Sequence, residues 1–111
     1  MRIYLDDTRD PPLFDANGEL THWHVCRTAR EAIKFIEGGE VSFISFDHDL
    51  GEDLTGYDVA KRIEELAFAG SLSPIDYSIH SGNLIGAANI DRAMKAAWNT
   101  WNNRRDHACN R

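Results

Sequence analysis

Four short apolar runs, each closed by polar residues, set the rhythm of the chain. They are Ile3-Tyr4-Leu5, the stretch His22-Trp23-His24-Val25-Cys26, then Phe43-Ile44-Ser45-Phe46 and Ile75-Asp76-Tyr77-Ser78-Ile79. Runs this short, bounded by turn residues, read as strands of a parallel sheet. Between them the period changes to that of a helix. Ala32, Ile33 and Ile36 line one face of a segment opened by Thr28-Ala29-Arg30-Glu31. That opening is a capping box, with Thr28 as N-cap and Glu31 reaching back to its amide, and Gly38-Gly39 ends the helix. Val59, Ala60, Ile63 and Ala67 predict a second helix from about Tyr57 to Ala69. A third starts at Asn83 or Asn89 and keeps Ile90, Met94, Trp98 and Trp101 on one side. Residues 6–21 hold Pro11, Pro12 and the turn Asn17-Gly18 and read as a loop.

The order β-β-α-β-α-β-α, with long connections, predicts a mostly parallel sheet flanked by helices. Right-handed crossovers place the first strand beside the third, with the second and fourth outside them, an order of 2-1-3-4. Ligands of open α/β sheets bind beyond the carboxyl ends of the strands. At those ends stand Asp6-Asp7, Asp47-His48-Asp49 and His80-Ser81. Four carboxylates and an imidazole in one crevice repel unless a cation or a shared proton joins them.

Composition narrows the choices. The 111 residues suit one domain, expected over 1–103 with a polar tail over 104–111. A net charge of -6 argues against non-specific grip on duplex DNA. No apolar run approaches the roughly 20 residues that cross a bilayer, so no membrane partner is expected. The amino terminus lacks the apolar core of a secretory signal, which points to the cytoplasm. Cys26 and Cys109 are too sparse for a disulfide framework. Homo-oligomer formation is left open.

An acidic pair after strand one, an Asp after strand three and a hydroxyl after strand four resemble the two-component receiver domain. The stretch Thr55-Gly56-Tyr57-Asp58-Val59-Ala60-Lys61-Arg62-Ile63 is similar to the helix that follows a receiver's phosphoacceptor loop. The fifth strand with its Lys is missing, and a Pro-containing loop replaces the first helix. These departures, with Asp6-Asp7-Thr8-Arg9, Asp47-His48-Asp49-Leu50-Gly51 and His80-Ser81-Gly82-Asn83, resemble the cyclic-phosphate processing receiver domains. The resemblance runs from residue 1 to about residue 95. It implies a compact receiver-like (flavodoxin-like) three-layer α/β sandwich with four strands and no fifth. It also implies activity on a cyclic phosphate, with a small anionic nucleotide or an RNA end as partner.

The chemistry follows residue by residue. Asp6, Asp7 and Asp47 could hold Mg²⁺ or Mn²⁺, hard ions that take oxygen ligands. Asp49 completes that shell, orients His48 or is a solvated loop acid. His48 donates to a phosphate or lies on the rim. His80, closing a buried strand, is the candidate for proton transfer, with a satisfied core histidine as the competing account. Ser81 and Asn83 suit phosphate oxygens near a helix N-terminus, or serve the turn and the cap. Arg9 clamps a phosphate or is the counter-ion of the acids. His22 and His24 lack a third metal ligand at a suitable spacing. Trp98 and Trp101 follow the apolar stripe of their helix, and Arg104-Arg105 reads as solvated charge.

The leading expectation is a metal-dependent phosphoesterase acting on cyclic nucleotides or RNA 2′,3′-cyclic ends. The alternatives are a degenerate signalling receiver phosphorylated on Asp47 and a phosphate-binding module without catalysis.

Overall fold

Each predicted strand forms, four residues long: β1 Arg2–Leu5, β2 Trp23–Cys26, β3 Phe43–Phe46 and β4 Asp76–Ile79. All three pairings are parallel, in the order β2-β1-β3-β4. The registers are level at the carboxyl end: Leu5 lies opposite Cys26 and Phe46, and Phe46 opposite Ile79. The chain therefore leaves β1, β3 and β4 on one rim. This computed structural model describes residues 1–109, with side chains through Arg104.

The helices are α1 Ala29–Glu37, α2 Gly56–Phe68 and α3 Leu84–Cys109. Their apolar faces (Ala32 and Ile36, Val59 and Ile63, Ile90 and Met94) join Ile3, Leu5, Ile44 and Phe46 in one buried cluster. Strand side chains alternate, so Arg2, Tyr4, Trp23, Phe43 and Ser45 point the other way, and none of them belongs to that cluster.

The α/β class, the parallel sheet and the strand order agree with the sequence. The third layer does not: all three helices share one face of the sheet. The connections β2-α1-β3 and β3-α2-β4 advance in the same direction across the sheet, so right-handedness puts their helices on the same side. Only β1-to-β2 runs the opposite way, and it is the Pro-containing loop over 6–21. On the helix-free face Trp23 meets Tyr4 and Phe43 edge-on, each at 5.7 Å between ring centroids. The Arg2 guanidinium lies 4.4 Å from the Trp23 ring centroid.

Local signals account for the helix ends. Thr28 Oγ1 accepts from Glu31 N at 3.2 Å, half of the expected capping box. At α2 both halves form: Thr55 N donates to Asp58 Oδ2 at 2.8 Å, and Asp58 N to Thr55 Oγ1 at 3.4 Å. The first helical residue must be glycine, since a Cβ on Gly56 would sit 2.0 Å from the Asp47 carbonyl oxygen. Trp98 Nε1 and Trp101 Nε1 donate to Ile75 O at 3.0 Å and Leu72 O at 3.1 Å, which fits the packing role read from their stripe. Arg104, read as solvated charge, instead donates to the Ala67 and Phe68 carbonyls that end α2. α3 runs on to Cys109, and the end of the expected tail lies outside the described residues.

Candidate active site

One residue beyond each strand end, Asp6, Asp47 and His80 keep the alternation and side with Tyr4 and Ser45. The ladder carries them there: Asp6 N donates to Cys26 O at 3.1 Å, Asp47 N to Leu5 O at 2.9 Å and His80 N to Phe46 O at 2.9 Å. Asp6 is fully buried and Asp47 is 6% exposed.

Asp6 is held from four directions. Its Oδ1 accepts from Thr8 N at 3.0 Å and Arg9 N at 2.8 Å. Its Oδ2 accepts from Arg9 Nε at 2.8 Å and His80 Nε2 at 3.1 Å. Burial alone would raise this carboxyl, but the Arg9 and Thr8 amides, His80 and the Arg9 charge outweigh it and hold it below the usual range. Asp47 goes the other way: burial, then the neighbouring Asp6 charge, push its carboxyl up. Its Oδ1 accepts from the His48 amide at 2.9 Å and lies 3.7 Å from Arg9 Nη2. Arg9 thus bridges the two buried acids, and its side chain is still 56% exposed.

Arg27, which the sequence did not single out, fixes the loop that carries Arg9. Its Nη1 donates to Asp6 O at 3.1 Å and Arg9 O at 2.7 Å, and its Nη2 meets Asp10. The available signal was a basic residue directly after Cys26, at the end of the strand beside β1.

Both nitrogens of His80 have partners. Nε2 faces Asp6, and Nδ1 lies 2.8 Å from Ser45 Oγ, which itself accepts from Ser78 Oγ at 3.0 Å. The ring stacks on Tyr4 with centroids 4.3 Å apart and planes 8° from parallel. Burial lowers the imidazole pKa, and the Asp6 hydrogen bond opposes the shift without cancelling it. A neutral ring fits one tautomer: Nε2–H donates to Asp6 and Nδ1 accepts from Ser45.

His48 is arranged differently. Its Nδ1 lies 2.8 Å from Asp49 Oδ1, while Nε2 has no hydrogen-bond partner among the described residues. Asn83 Nδ2 stands 3.3 Å from both His48 Nδ1 and Asp49 Oδ1. Asn83 also caps α3, since its Oδ1 accepts from Gly86 N at 2.9 Å. Ser81 Oγ accepts from Asn83 N at 3.1 Å. The His48 ring rests on the first turn of α3, where a Cβ on Gly86 would come within 2.3 Å of His48 Cγ. The His48 and Asn83 hydrogen bonds hold the exposed Asp49 carboxyl below its usual range.

The acids therefore divide three and one. Asp6, Asp7 and Asp47 each offer an oxygen, all within 4.8 Å of one another, while Asp49 turns to His48. Gly51, at φ +66, brings the loop after β3 against Asp7; a Cβ there would lie 3.1 Å from Asp7 Oδ2. An all-oxygen set with two buried carboxylates fits a hard divalent cation, which shares the acids with the competing Arg9 guanidinium. Asp6 has its lone pairs engaged, so Asp7 and Asp47 carry the oxygens most open to such an ion.

A profile of the family described as "cyclic-phosphate processing receiver domain" matches residues 1–96. No curated protein and no solved structure matches the chain.

Proposed function

Because the chain belongs to the family of cyclic-phosphate processing receiver domains, we propose that its carboxyl-end rim hydrolyses a cyclic phosphodiester. The substrate class is a small cyclic nucleotide or an RNA 2′,3′-cyclic end. One observation carries this reading: His48, whose amide donates to Asp47 of the acid trio, is held at Nδ1 by Asp49 and keeps Nε2 without a partner among the described residues. A ring oriented by a carboxylate at one nitrogen is a poised acid or base at the other.

Asp7 and Asp47, with Asp6 beside them, would hold Mg²⁺ or Mn²⁺, and such an ion when bound polarises the phosphoryl oxygens. His48 Nε2 accepts a proton from water as the water oxygen bonds to phosphorus. One ring P–O bond breaks, its alkoxide takes a proton from solvent while His48 returns its own to solvent, and a phosphate monoester remains. Asp49 stabilises the imidazolium formed in between. The half-exposed Arg9 guanidinium can keep Nε on Asp6 and offer its outer nitrogens to the phosphate. The Ser81 hydroxyl, which already accepts from the Asn83 amide, has its own proton left to donate. His80, with both ring nitrogens engaged, serves as a positioning residue that orients Asp6 and favours its ionised form.

The test is turnover of 2′,3′- and 3′,5′-cyclic nucleotides with Mg²⁺ or Mn²⁺. His48→Ala is expected to lose about 10²-fold or more in kcat. Undiminished turnover in that variant would contradict the assignment.

A further inference from the structure

A second set of metal-ligating groups lies on the helix side of β2, on the opposite face of the sheet from the side chains of Asp6 and Asp47. His24 and Cys26 are two residues apart on the strand, so both face α1. Cys26 is fully buried at the end of β2, while His24 is exposed. Glu31, in the first turn of α1, does not return its carboxylate to the Thr28 amide as a capping box would. Its carboxylate and the Cys26 sulfur instead come within 4.8 Å of each other. One turn further along α1, Phe35 meets the His24 ring at 4.4 Å and 63°, restraining its orientation. One ligand atom from each of His24, Cys26 and Glu31 lies within 4.8 Å of the other two.

We propose that His24, Cys26 and Glu31 form a binding site for Zn²⁺ or a similar borderline-soft divalent ion. Zinc–ligand bonds of about 2.0–2.3 Å in a tetrahedron put ligand atoms about 3.5 Å apart, so small rotamer changes close the site. The donors decide which ion binds: thiolate and imidazole select zinc-like metals over Mg²⁺. Charge supports the same choice. One thiolate and one carboxylate neutralise a dication, so the half-buried site carries no net charge. On binding, the Cys26 thiol gives its proton to solvent and the sulfur bonds the metal. Three protein ligands leave a fourth position for water, reached from the exposed His24 side. The proposal does not depend on the rim chemistry.

The experiment is Co²⁺ titration of the full chain, read by the thiolate-to-cobalt charge-transfer band, with native mass spectrometry of the Zn²⁺ form. A charge-transfer band that saturates at one equivalent of thiolate-bound cobalt is expected in the parent chain. The band should persist in Cys109→Ser, which removes the other thiol, and in Asp47→Asn, which removes a rim ligand. It should vanish in Cys26→Ser. His24→Ala, at an exposed position, should weaken cobalt binding at least about tenfold. Absence of the band in the parent chain, or its persistence in Cys26→Ser, would overturn the site. If Cys26→Ser does not fold, the His24→Ala titration decides, and unchanged affinity there overturns the proposal.

Discussion

His80 Nε2 lies 3.1 Å from Asp6 Oδ2, joining the ends of β4 and β1 across β3, the strand that separates them in the sheet. The bond ties three parallel strands at the rim, and its two partners are shifted in the same direction. The fold lowers the pKa of His80, through burial, and that of Asp6, where hydrogen bonds and the Arg9 charge overcome burial.

Acid should therefore destabilise the domain in two stages. A depressed folded pKa means that the unfolded chain binds the proton more tightly, so stability is lost as pH falls. The His80 contribution fades below the unfolded imidazole value of about 6.5, and the Asp6 contribution fades later, below 3.8. Urea unfolding across pH should show both windows. His80→Ala should remove the upper one, and an unchanged profile would contradict the arrangement.

Asp6 and Asp47 should respond oppositely to amide replacement. Asp6→Asn sets a carboxamide nitrogen against donors and breaks a buried charged network, a loss of about 3 kcal/mol. The Asp47 carboxyl is raised, so its contribution is present at low pH and is lost as pH rises through its folded value. At neutral pH Asp47→Asn should accordingly stabilise the fold by about 1 kcal/mol, as relief of functional strain does. Thermal melts of the two variants, side by side, provide the check.

Gly86 separates activity from folding. Alanine at this helical position would improve propensity, yet its Cβ would strike the His48 ring at 2.3 Å. Gly86→Ala should keep a parent-like melting temperature while kcat falls by about 10²-fold. A variant as active as the parent would mean that the placement of His48 is irrelevant to turnover.

Gly56 should behave in the opposite manner. Its added Cβ would meet backbone, the Asp47 carbonyl oxygen at 2.0 Å, which cannot swing aside as a ring can. Gly56→Ala should cost about 3 kcal/mol by overpacking, measurable as a lower urea midpoint.

The strand ends and their order were legible because buried parallel strands are short apolar runs and crossover handedness leaves few arrangements. Asp6, Asp47 and His80 follow directly from that. The helix-free sheet face was harder to see, since it depends on the loop over 6–21 being the one connection that crosses that side. Hydrogen-bond direction was not legible at all. Nothing local says that His80 has both nitrogens engaged, because Asp6 and Ser45 reach that ring only through tertiary packing; the Asp49–His48 contact joins adjacent residues and was among the roles open to Asp49. Asp49 stands two residues from Asp47, yet the turn carries it to His48 instead of the acid trio. The sequence pairs His24 with His22 and not with Cys26, and it assigns Glu31 to helix capping, so the trio of His24, Cys26 and Glu31 emerges only in the fold.

The most direct measurement of the central claim is phosphorus NMR of a 2′,3′-cyclic nucleotide incubated with the protein and Mn²⁺ or Mg²⁺. The account predicts that the cyclic resonance is replaced by that of a ring-opened monoester, and that Asp47→Asn and His48→Ala each slow the conversion. A cyclic resonance that persists unchanged with the parent protein, across 2′,3′- and 3′,5′-cyclic substrates and either metal, would contradict it.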